Sequence, residues 1–225
     1  MERTRVLVNG AKGKMGQEVI KAVSKEAELE LVAQTDLGDD LAETIKKSRP
    51  DVVIDFTIPK SAMGNIRTAA KNKCHVIVGT TGITEKDLAE IKDLCSTNGV
   101  NILVAPNFAV GAVLMMKYAS DAAKYMPKAE IIELHHDQKL DAPSGTALKT
   151  ADMMKNSSGI KDVPIHSVRL PGFVADQQVI FGGLGQTLTI KHQTTGRECF
   201  MPGVVLAAKK IKSLKGLTYG LENIL

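Results

Sequence analysis

Short apolar runs alternate with segments of helical periodicity through the first half of the chain. Runs of strand length occupy positions 5–8, 29–35, 51–56, 75–78 and 101–105, and helical spacing follows the first, third and fourth of them. Uninterrupted apolar strands that alternate with helices are typical of a parallel sheet covered on both faces. The pattern therefore predicts a Rossmann-like, doubly wound α/β domain, in which ligands bind beyond the carboxyl ends of the strands.

The second half of the chain has a different pattern. A long apolar helix is predicted over 111–125, strands at 130–136, 166–169, 178–181 and 187–192, and a single helix over 144–154 among them. This order is typical of a smaller α+β domain. A last helical segment, 203–212, is expected to pack back on the first domain. We therefore assign residues 1–108 and 198–225 to the first domain and 109–197 to the second.

Composition narrows the class of protein. The 225 residues are 44% hydrophobic and 24% charged, as in ordinary globular proteins. A net charge of +4 and 4% aromatic residues without Trp argue against a nucleic-acid partner. No apolar run approaches the ~20 residues of a membrane span. The three cysteines are widely spaced and form no metal-binding pair, so we expect a cytoplasmic protein without a metal. A strand is predicted almost at the first residue, so we expect neither a signal peptide nor a membrane partner.

A glycine-rich turn follows the first predicted strand. Gly10, Gly13 and Gly16 stand between that strand and a helical run, which is the context of a dinucleotide-binding loop. Positions 10–15 would then place backbone N–H groups against a pyrophosphate at the helix N-terminus. The spacing differs from the commoner GxGxxG, and a glycine turn with a purely structural role would look the same.

An acidic residue ends the second predicted strand. Asp36 lies 20 positions beyond Gly16, where a carboxylate would accept hydrogen bonds from an adenosine ribose and repel a 2′-phosphate. Leu37 follows it, which favours NADH, although Lys12 and Lys14 leave NADPH open. The ends of the fourth and fifth predicted strands also carry mostly small or polar residues: Gly79, Thr80, Thr81, Ala105, Pro106, Asn107 and Phe108. Because such residues recur at these strand ends, we predict a cofactor site at this edge of the sheet.

The segment 133–147 concentrates proton donors and anion-binding groups. His135 has a side chain suited to proton transfer near neutral pH, and Lys139 adds a positive charge. Ser144 precedes a predicted helix, whose N–H groups near Gly145 and Thr146 make a site for a carboxylate. The segment is therefore predicted to be half of an active site.

Two other chemical interpretations of this segment are weaker. Zinc bound by His135, His136 and His192 with Asp137 fits neither an HExxH nor a paired-cysteine spacing. A nucleophilic Ser144 lacks the G-x-S-x-G turn that such a serine needs. Adjacent strand residues also point to opposite faces, so the two adjacent histidines share one ligand only if the strand ends there, as the following Asp-Gln pair indicates.

Sequence motifs over nearly the whole chain resemble those of the 4-hydroxy-tetrahydrodipicolinate reductase (dihydrodipicolinate reductase) family. They are the glycine loop 10–16, Asp-Phe-Thr at 55–57, Gly-Thr-Thr-Gly at 79–82, Asn-Phe at 107–108, the segment 133–147, 181–186 and Arg197. The element His-His-x-x-Lys-x-Asp-Ala-Pro-Ser-Gly-Thr-Ala is the most specific of them. The chain is short for the family and resembles its compact form.

The resemblance implies reduction of a cyclic imine dicarboxylate by NADH or NADPH, in the diaminopimelate and lysine biosynthesis pathway, by a homotetramer. It implies that His135 and Lys139 are catalytic and that His136, Gly145 and Thr146 bind the substrate. The implied cofactor contacts are Gly10, Ala11, Lys12, Gly13, Lys14, Met15, Asp36, Gly79, Thr80, Thr81, Ala105, Pro106, Asn107, Phe108 and Arg197.

Two other functions fit parts of the sequence. A nucleotide-binding sensor would need the glycine loop but would have no use for the proton donors His135 and Lys139. A different dehydrogenase on the same scaffold, acting on an amino acid or an aldehyde, could be distinguished from this reductase only by a substrate screen.

The chain departs from the resembled family at two positions. Asp137 and Gln138 stand where many members of that family have more basic residues.

Overall fold

A computed structural model of the chain describes residues 3–225. The chain folds into two compact units. The first consists of the residues up to Phe108 together with Phe200–Leu225, and the second consists of Ala109–Cys199. In chain order the elements are β1 (Thr4–Asn9), α1 (Lys14–Lys25), β2 (Leu29–Thr35), α2 (Leu41–Ser48), β3 (Val52–Asp55), α3 (Pro59–Lys71), β4 (His75–Val78), α4 (Glu85–Asn98), β5 (Ile102–Val104), α5 (Val110–Ala122), β6 (Ala129–His135), α6 (Gly145–Ser158), β7 (Ile165–Arg169), β8 (Ala175–Gly183), β9 (Gln186–His192), α7 (Met201–Lys210) and β10 (Leu217–Tyr219).

The first unit is built around a parallel sheet. Its strand order is β10-β5-β4-β3-β1-β2, and every neighbouring pair runs parallel. The central strands are buried along their whole length, as a sheet covered on both faces requires: every residue of Val52–Asp55 is inaccessible to solvent. This confirms the predicted doubly wound fold and places a reversal of strand order at β1.

Local signals explain where the helices of this unit begin. Thr84 caps α4 through a capping box with Asp87, as its sequence predicts. From sequence alone, Ser61 would be a plausible N-cap for α3 and would begin the helix there. That prediction is wrong, because Pro59 occupies the first turn and Ile58 stands at the N-cap. Proline suits that position, since it lacks only an N–H that would have no partner inside the helix.

Two elements of the first unit were not predicted. Helix α2 begins at an Asp40 cap that accepts a hydrogen bond from the Glu43 amide at 2.9 Å. Strand β10 is only three residues long and pairs with β5, from Leu217 opposite Ile102 to Tyr219 opposite Val104. So short a strand carries little periodicity, and its partner lies more than one hundred residues earlier.

The second unit contains a mixed sheet with the order β7-β6-β8-β9. Strands β6 and β7 run parallel, whereas β8 is antiparallel to both of its neighbours. Ile131, Val179 and Phe181 are fully buried on one face, and helices α5 and α6 pack against each other and against strands of this sheet. The predicted strands and helices of this unit are confirmed, with bounds that differ by up to four residues.

Residues 3–225 contain neither a membrane-spanning helix nor a cluster of metal ligands. No helix there is long and apolar enough to span a membrane. Within the same residues, no group of three or more His, Cys, Asp or Glu side chains is placed to hold a metal ion.

Candidate active site

A cavity of about 440 Å³ lies at the carboxyl edge of the parallel sheet. The strand order reverses at β1, which is where ligands bind in sheets of this kind. Three residues predicted to contact a cofactor, Gly10, Gly13 and Asp36, belong to its wall. The full lining comprises Asn9, Gly10, Gly13, Asp36, Leu37, Gly38, Asp39, Leu41, Phe56, Thr57, Ile58, Ser61 and Asn65.

The glycine loop is shaped by close backbone contacts. Gly10 has a φ of +86°, and a Cβ atom there would lie 2.6 Å from the Phe56 carbonyl oxygen. A Cβ atom on Gly16 would lie 2.0 Å from the Gly10 carbonyl oxygen. Among the residues that the structure describes, no side chain caps the N-terminus of α1, and its first turn has no acidic residue. The first turn of α1 therefore offers N–H groups to an anion such as a phosphate, whereas the amides of residues 10–13 donate within the loop and to Thr35 and Asp36.

Replacement of Gly16 by Ala should disrupt this loop. The added methyl group overlaps backbone rather than a movable side chain, so we expect a loss of roughly 3 kcal/mol of stability and a lower Tm. Gly64→Ala is the matched control: Gly64 also lies in a helix, but nothing lies within 4 Å of its would-be Cβ. Calorimetric melting should show a higher or unchanged Tm for the control. Equal melting of the two variants would contradict this account.

Asp36 is held against the glycine loop. Its Oδ2 accepts a hydrogen bond from the Lys12 amide at 2.6 Å, and its Oδ1 accepts one from the Leu37 amide at 2.7 Å. These two backbone hydrogen bonds lower the pKa of the Asp36 carboxyl below its ordinary value, and the bond from Lys12 has the larger effect. Each oxygen keeps a lone pair for a ligand hydroxyl. Asp39, also on the cavity wall, accepts a hydrogen bond from the Asp36 amide at 2.8 Å.

A buried carboxylate behind the cavity ties three strand ends together. Asp55 is fully buried and accepts hydrogen bonds from Asn9 Nδ2, Asn65 Nδ2, Thr57 Oγ1 and Thr80 Oγ1, each at 2.8 Å. These donors come from β1, α3 and the segments after β3 and β4. Thr80 therefore supports the cavity from behind. The sequence shows Asp55 at a strand end but not this convergence, because the donors are far apart along the chain.

Two of the predicted residues at the ends of β4 and β5, Gly79 and Phe108, lie against Phe56. A Cβ atom on Gly79 would lie 2.1 Å from the Phe56 ring, and the rings of Phe56 and Phe108 are 5.7 Å apart. The other predicted residues of this group are Thr81, Ala105, Pro106 and Asn107, of which Ala105 is buried and Thr81 and Pro106 are exposed. None of the group is part of the cavity lining.

The remaining predicted cofactor residues divide between the two units. Ala11 is buried beneath the glycine loop, where its amide donates to the Thr35 carbonyl at 3.0 Å. Lys12 is exposed, and Lys14 and Met15 are the first two residues of α1. Arg197 is exposed in a short 3-10 helix, Arg197–Phe200, and does not line the cavity.

In the second unit, strand β6 ends at His135. The ring Nδ1 of His135 contacts Oε2 of Glu133, whose side chain is fully buried. Arg169, at the end of β7, binds the same carboxylate through two hydrogen bonds, Nη1 to Oε2 at 2.9 Å and Nη2 to Oε1 at 2.7 Å. The imidazole therefore sits beside a paired, buried carboxylate.

The charges in this cluster set its protonation. Burial raises the pKa of Glu133, but hydrogen bonds from Arg169, Ser167 and His135 outweigh it, so the pKa lies below its ordinary value and Glu133 is ionised. Burial lowers the pKa of His135, with smaller contributions in the same direction from Lys139 and Arg169, although Glu133 acts the other way. The ring is therefore mostly neutral at pH 7 and gains a proton as the pH falls.

The loop after His135 carries Lys139. Its first four residues form a turn, closed by the Lys139 amide donating to the His136 carbonyl at 3.1 Å. Lys139 Nζ donates to both carboxylate oxygens of Asp141, at 2.6 and 2.8 Å, which lowers the pKa of Asp141. The strand ends at His135, one residue earlier than the predicted 130–136, so strand alternation does not apply to His136, which is exposed.

Helix α6 begins where the sequence predicts an anion site. Ser144 caps the helix by accepting a hydrogen bond from the Ala147 amide at 3.2 Å. Gly145 is exposed and has no atom within 4 Å of a would-be Cβ, so a ligand has room to approach the backbone. Thr146 follows in the same turn. Within the described part of the chain, that turn has no acidic residue to compete with an anion.

Comparison with known proteins gives the same result for both units. The family model "Dihydrodipicolinate reductase, N-terminus" matches residues 4–108, and "Dihydrodipicolinate reductase, C-terminus" matches 111–225. The chain belongs to the dihydrodipicolinate reductase family. It is therefore an oxidoreductase, and the family uses NADH or NADPH.

Individual relatives match over their full length. A 4-hydroxy-tetrahydrodipicolinate reductase of Syntrophomonas wolfei is 45% identical over 264 residues, covering 100% of this chain and 99% of the relative. One of Coxiella burnetii is 47% identical over 235 residues, covering 98% of each. The dipicolinate-bound dihydrodipicolinate reductase of Paenisporosarcina sp. TG-14 has a TM-score of 0.89 and 39% identity, covering 99% of this chain and 100% of that one.

Sequence reasoning missed two members of the second cluster. Glu133 belongs to the segment singled out in the sequence but received no role, and Arg169 was assigned only to a strand. The available signal was a charged residue within the apolar strand β6, since a charge on a buried face needs a partner, together with a second charge at the end of β7. Register supplies the missing step, because β6 and β7 are parallel and His135 lies opposite Arg169.

Proposed function

We propose that the chain reduces 4-hydroxy-tetrahydrodipicolinate to tetrahydrodipicolinate with NADH or NADPH, in diaminopimelate and lysine biosynthesis. The observation that carries the proposal is the second-unit cluster, in which a proton-transfer histidine, a lysine and an exposed helix start lie within one segment. A cyclic imine dicarboxylate needs each of these groups. The overall reaction consumes one reduced cofactor and one proton and releases one water.

The first unit fits the cofactor. The glycine loop leaves no room for a Cβ at Gly10 or Gly16, α1 has an uncapped N-terminus, and Asp36 presents two oxygens to the same cavity. We therefore assign pyrophosphate binding to residues 10–15 and ribose binding to Asp36. Gly79–Thr81, Ala105–Phe108 and Arg197 complete the proposed set. When bound, the reduced nicotinamide supplies the hydride.

The second unit supplies charge and protons to the substrate. Lys139 and the N–H groups of Gly145 and Thr146 bind the two carboxylates, and exposed His136 adds a further donor. His135, in its protonated form, delivers a proton from Nε2 to the electron-rich ring that is formed by reduction. Fixing the substrate against preorganised donors provides much of the expected rate enhancement.

Oxidation of NADH, followed by absorbance at 340 nm with freshly prepared substrate, tests this function. Turnover should require the imine dicarboxylate and should be inhibited by dipicolinate, which the Paenisporosarcina relative binds. A folded protein that binds NADH but gives no turnover would favour the nucleotide-sensor alternative. Turnover with an amino acid or aldehyde in place of the imine would favour another dehydrogenase.

Cofactor preference should follow the two carboxylates on the cavity wall. Asp36 and Asp39 repel a 2′-phosphate, so we expect the KM for NADH to be no higher than that for NADPH. Asp36→Asn removes a charge-assisted ribose contact and should raise the KM for NADH about 10-fold while lowering or preserving that for NADPH. Steady-state kinetics with both cofactors check this. An unchanged ratio of the two KM values would show that Lys12 or Lys14 decides the preference.

We also propose a cytoplasmic homotetramer that contacts neither membranes nor nucleic acids. One face of the second sheet supports the assembly: Ile132, Leu134, Val168 and Ile180 lie on the face opposite the fully buried one, and all are only half-buried. Partly exposed apolar side chains grouped on one face, here mixed with the exposed Glu130–His166 pair, are typical of a contact between copies. Light scattering of the purified protein, with Ile180→Lys as the disrupting variant, tests the state of assembly.

A further inference from the structure

We propose that the buried Glu133–Arg169 pair positions the reacting groups of the second unit: it fixes the tautomer of His135, the loop that carries Lys139, and the start of α6. The inference rests on the proposed function, because it assigns the pair a part in the same reaction. Neither residue is proposed to touch the substrate, so both are positioning residues rather than catalytic ones.

The Glu133 carboxylate joins three parts of the site. Its Oε2 contacts His135 Nδ1 and accepts from Arg169 Nη1 at 2.9 Å. Its Oε1 accepts from Arg169 Nη2 at 2.7 Å and from the Ser144 amide at 3.3 Å. Ser144 is the N-cap of α6. One fully buried side chain therefore holds both the imidazole and the helix start assigned to carboxylate binding.

Arg169 extends the same arrangement to the lysine loop. Its Nη2 also donates to the Asp141 carbonyl at 2.7 Å, and its Nη1 donates to the Val168 carbonyl at 2.8 Å. Asp141 in turn pairs with Lys139 through its carboxylate. The guanidinium thus fixes the backbone two residues beyond the lysine, and the planar fork of arginine suits this simultaneous binding of carboxylate and carbonyl oxygens.

A carboxylate at Nδ1 has a specific chemical consequence for His135. In the neutral ring it retains the proton on Nδ1, so that Nε2 is the nitrogen that gains and loses a proton. It also stabilises the protonated ring, as the acid role requires. The charged groups that face the ring are Glu133 from β6, Arg169 from β7 and Lys139 from the following loop, and only the first favours protonation.

A purely structural ion pair would behave differently from a positioning pair when each partner is removed. Loss of either partner leaves a buried charge, so both single variants would lower Tm in the same direction. Their effects on His135 should instead be opposite. Without Glu133 the ring protonates at lower pH, and without Arg169 it protonates at higher pH, because the two groups act on it with opposite sign.

The first experiment measures kcat against pH for Glu133→Gln and Arg169→Met. We expect the pKa that governs kcat to fall by about one unit in the first variant and to rise in the second. The KM for NADH should stay unchanged in both, and kcat of Glu133→Gln at pH 7.5 should fall about 10-fold or more. Glu90→Gln, which removes an exposed two-bond pair with Arg67, is the matched control and should leave the profile unchanged. Shifts of the same sign in both single variants would overturn the proposal.

The second experiment keeps the test decisive if a single variant fails to fold. Glu133→Gln/Arg169→Met removes both charges, which proteins often tolerate better than the loss of one. Nitrogen-15 NMR of the histidine rings should show a proton on Nδ1 of His135 in the wild type and a mixture of tautomers in the double variant. His166, which pairs with Glu130 through Nε2, is an internal reference. An unchanged His135 tautomer would also overturn the proposal, whereas a wild type inactive on the imine would refute only the proposed function.

Discussion

His135→Gln should lower kcat by about 10²–10⁴-fold, because glutamine cannot deliver a proton to the reduced ring. NADH affinity should stay near the wild-type value, since the proposed cofactor residues around Asp36 lie in the first unit. In the wild type, kcat should decrease as the pH rises through the pKa of His135, which burial places below its ordinary value. Stopped-flow and steady-state rates from pH 5 to 9 measure both effects.

The chain offers a matched control for this substitution. His166 also pairs with a carboxylate, Glu130, at 2.7 Å in the same sheet, but it is exposed. His166→Gln should therefore keep the wild-type rate and pH profile. If His135→Gln retained the wild-type profile as well, another group would have to be the proton donor.

Lys139→Ala should lower kcat by about 10²–10⁴-fold and weaken the binding of dicarboxylates. Removing the ammonium group takes away a positive charge and leaves Asp141 unpaired, so the loop changes from a charge-neutral pair to a net negative charge. That charge repels the substrate carboxylates. Calorimetric titration with dipicolinate separates the binding loss from the loss of rate.

Lys124→Ala is the comparison for Lys139→Ala. Lys124 forms an exposed pair with Asp121 at 2.8 Å in the same unit, outside the segment 133–147. Its removal should change neither dipicolinate affinity nor kcat. Full kcat in Lys139→Ala would show that the catalytic role implied for this lysine by the family resemblance is wrong.

The first sheet could be predicted from sequence because its strands are buried on both faces. Strands of a covered parallel sheet are uninterrupted apolar runs rather than alternating apolar and polar residues. Such runs occur at Val52–Ile54 and Val76–Val78. The three-residue strand Leu217–Tyr219 could not be found in this way. Its place depends on pairing with Ile102–Val104, and nothing in its own composition specifies a partner so distant along the chain.

The site was predictable where its residues are close in sequence. His135, Lys139 and Gly145 lie within one segment, so their types and spacing point to one chemistry without a structure. Arg169 reaches the same cluster only through the pairing of β6 with β7. The cavity behind the glycine loop likewise depends on Asp55, whose hydrogen-bond donors come from four separate segments.

The late strand β10 also has a consequence for synthesis of the chain on the ribosome. The outer edge of β5 is paired by β10 and the residues that flank β10. The Ile102 amide donates to the Gly216 carbonyl at 3.0 Å, and the Gly220 amide donates to the Val104 carbonyl at 2.8 Å. The whole second unit is translated before that segment emerges. A nascent chain therefore carries an unpaired sheet edge, the kind of surface that invites pairing with another chain, until β10 has emerged from the ribosome.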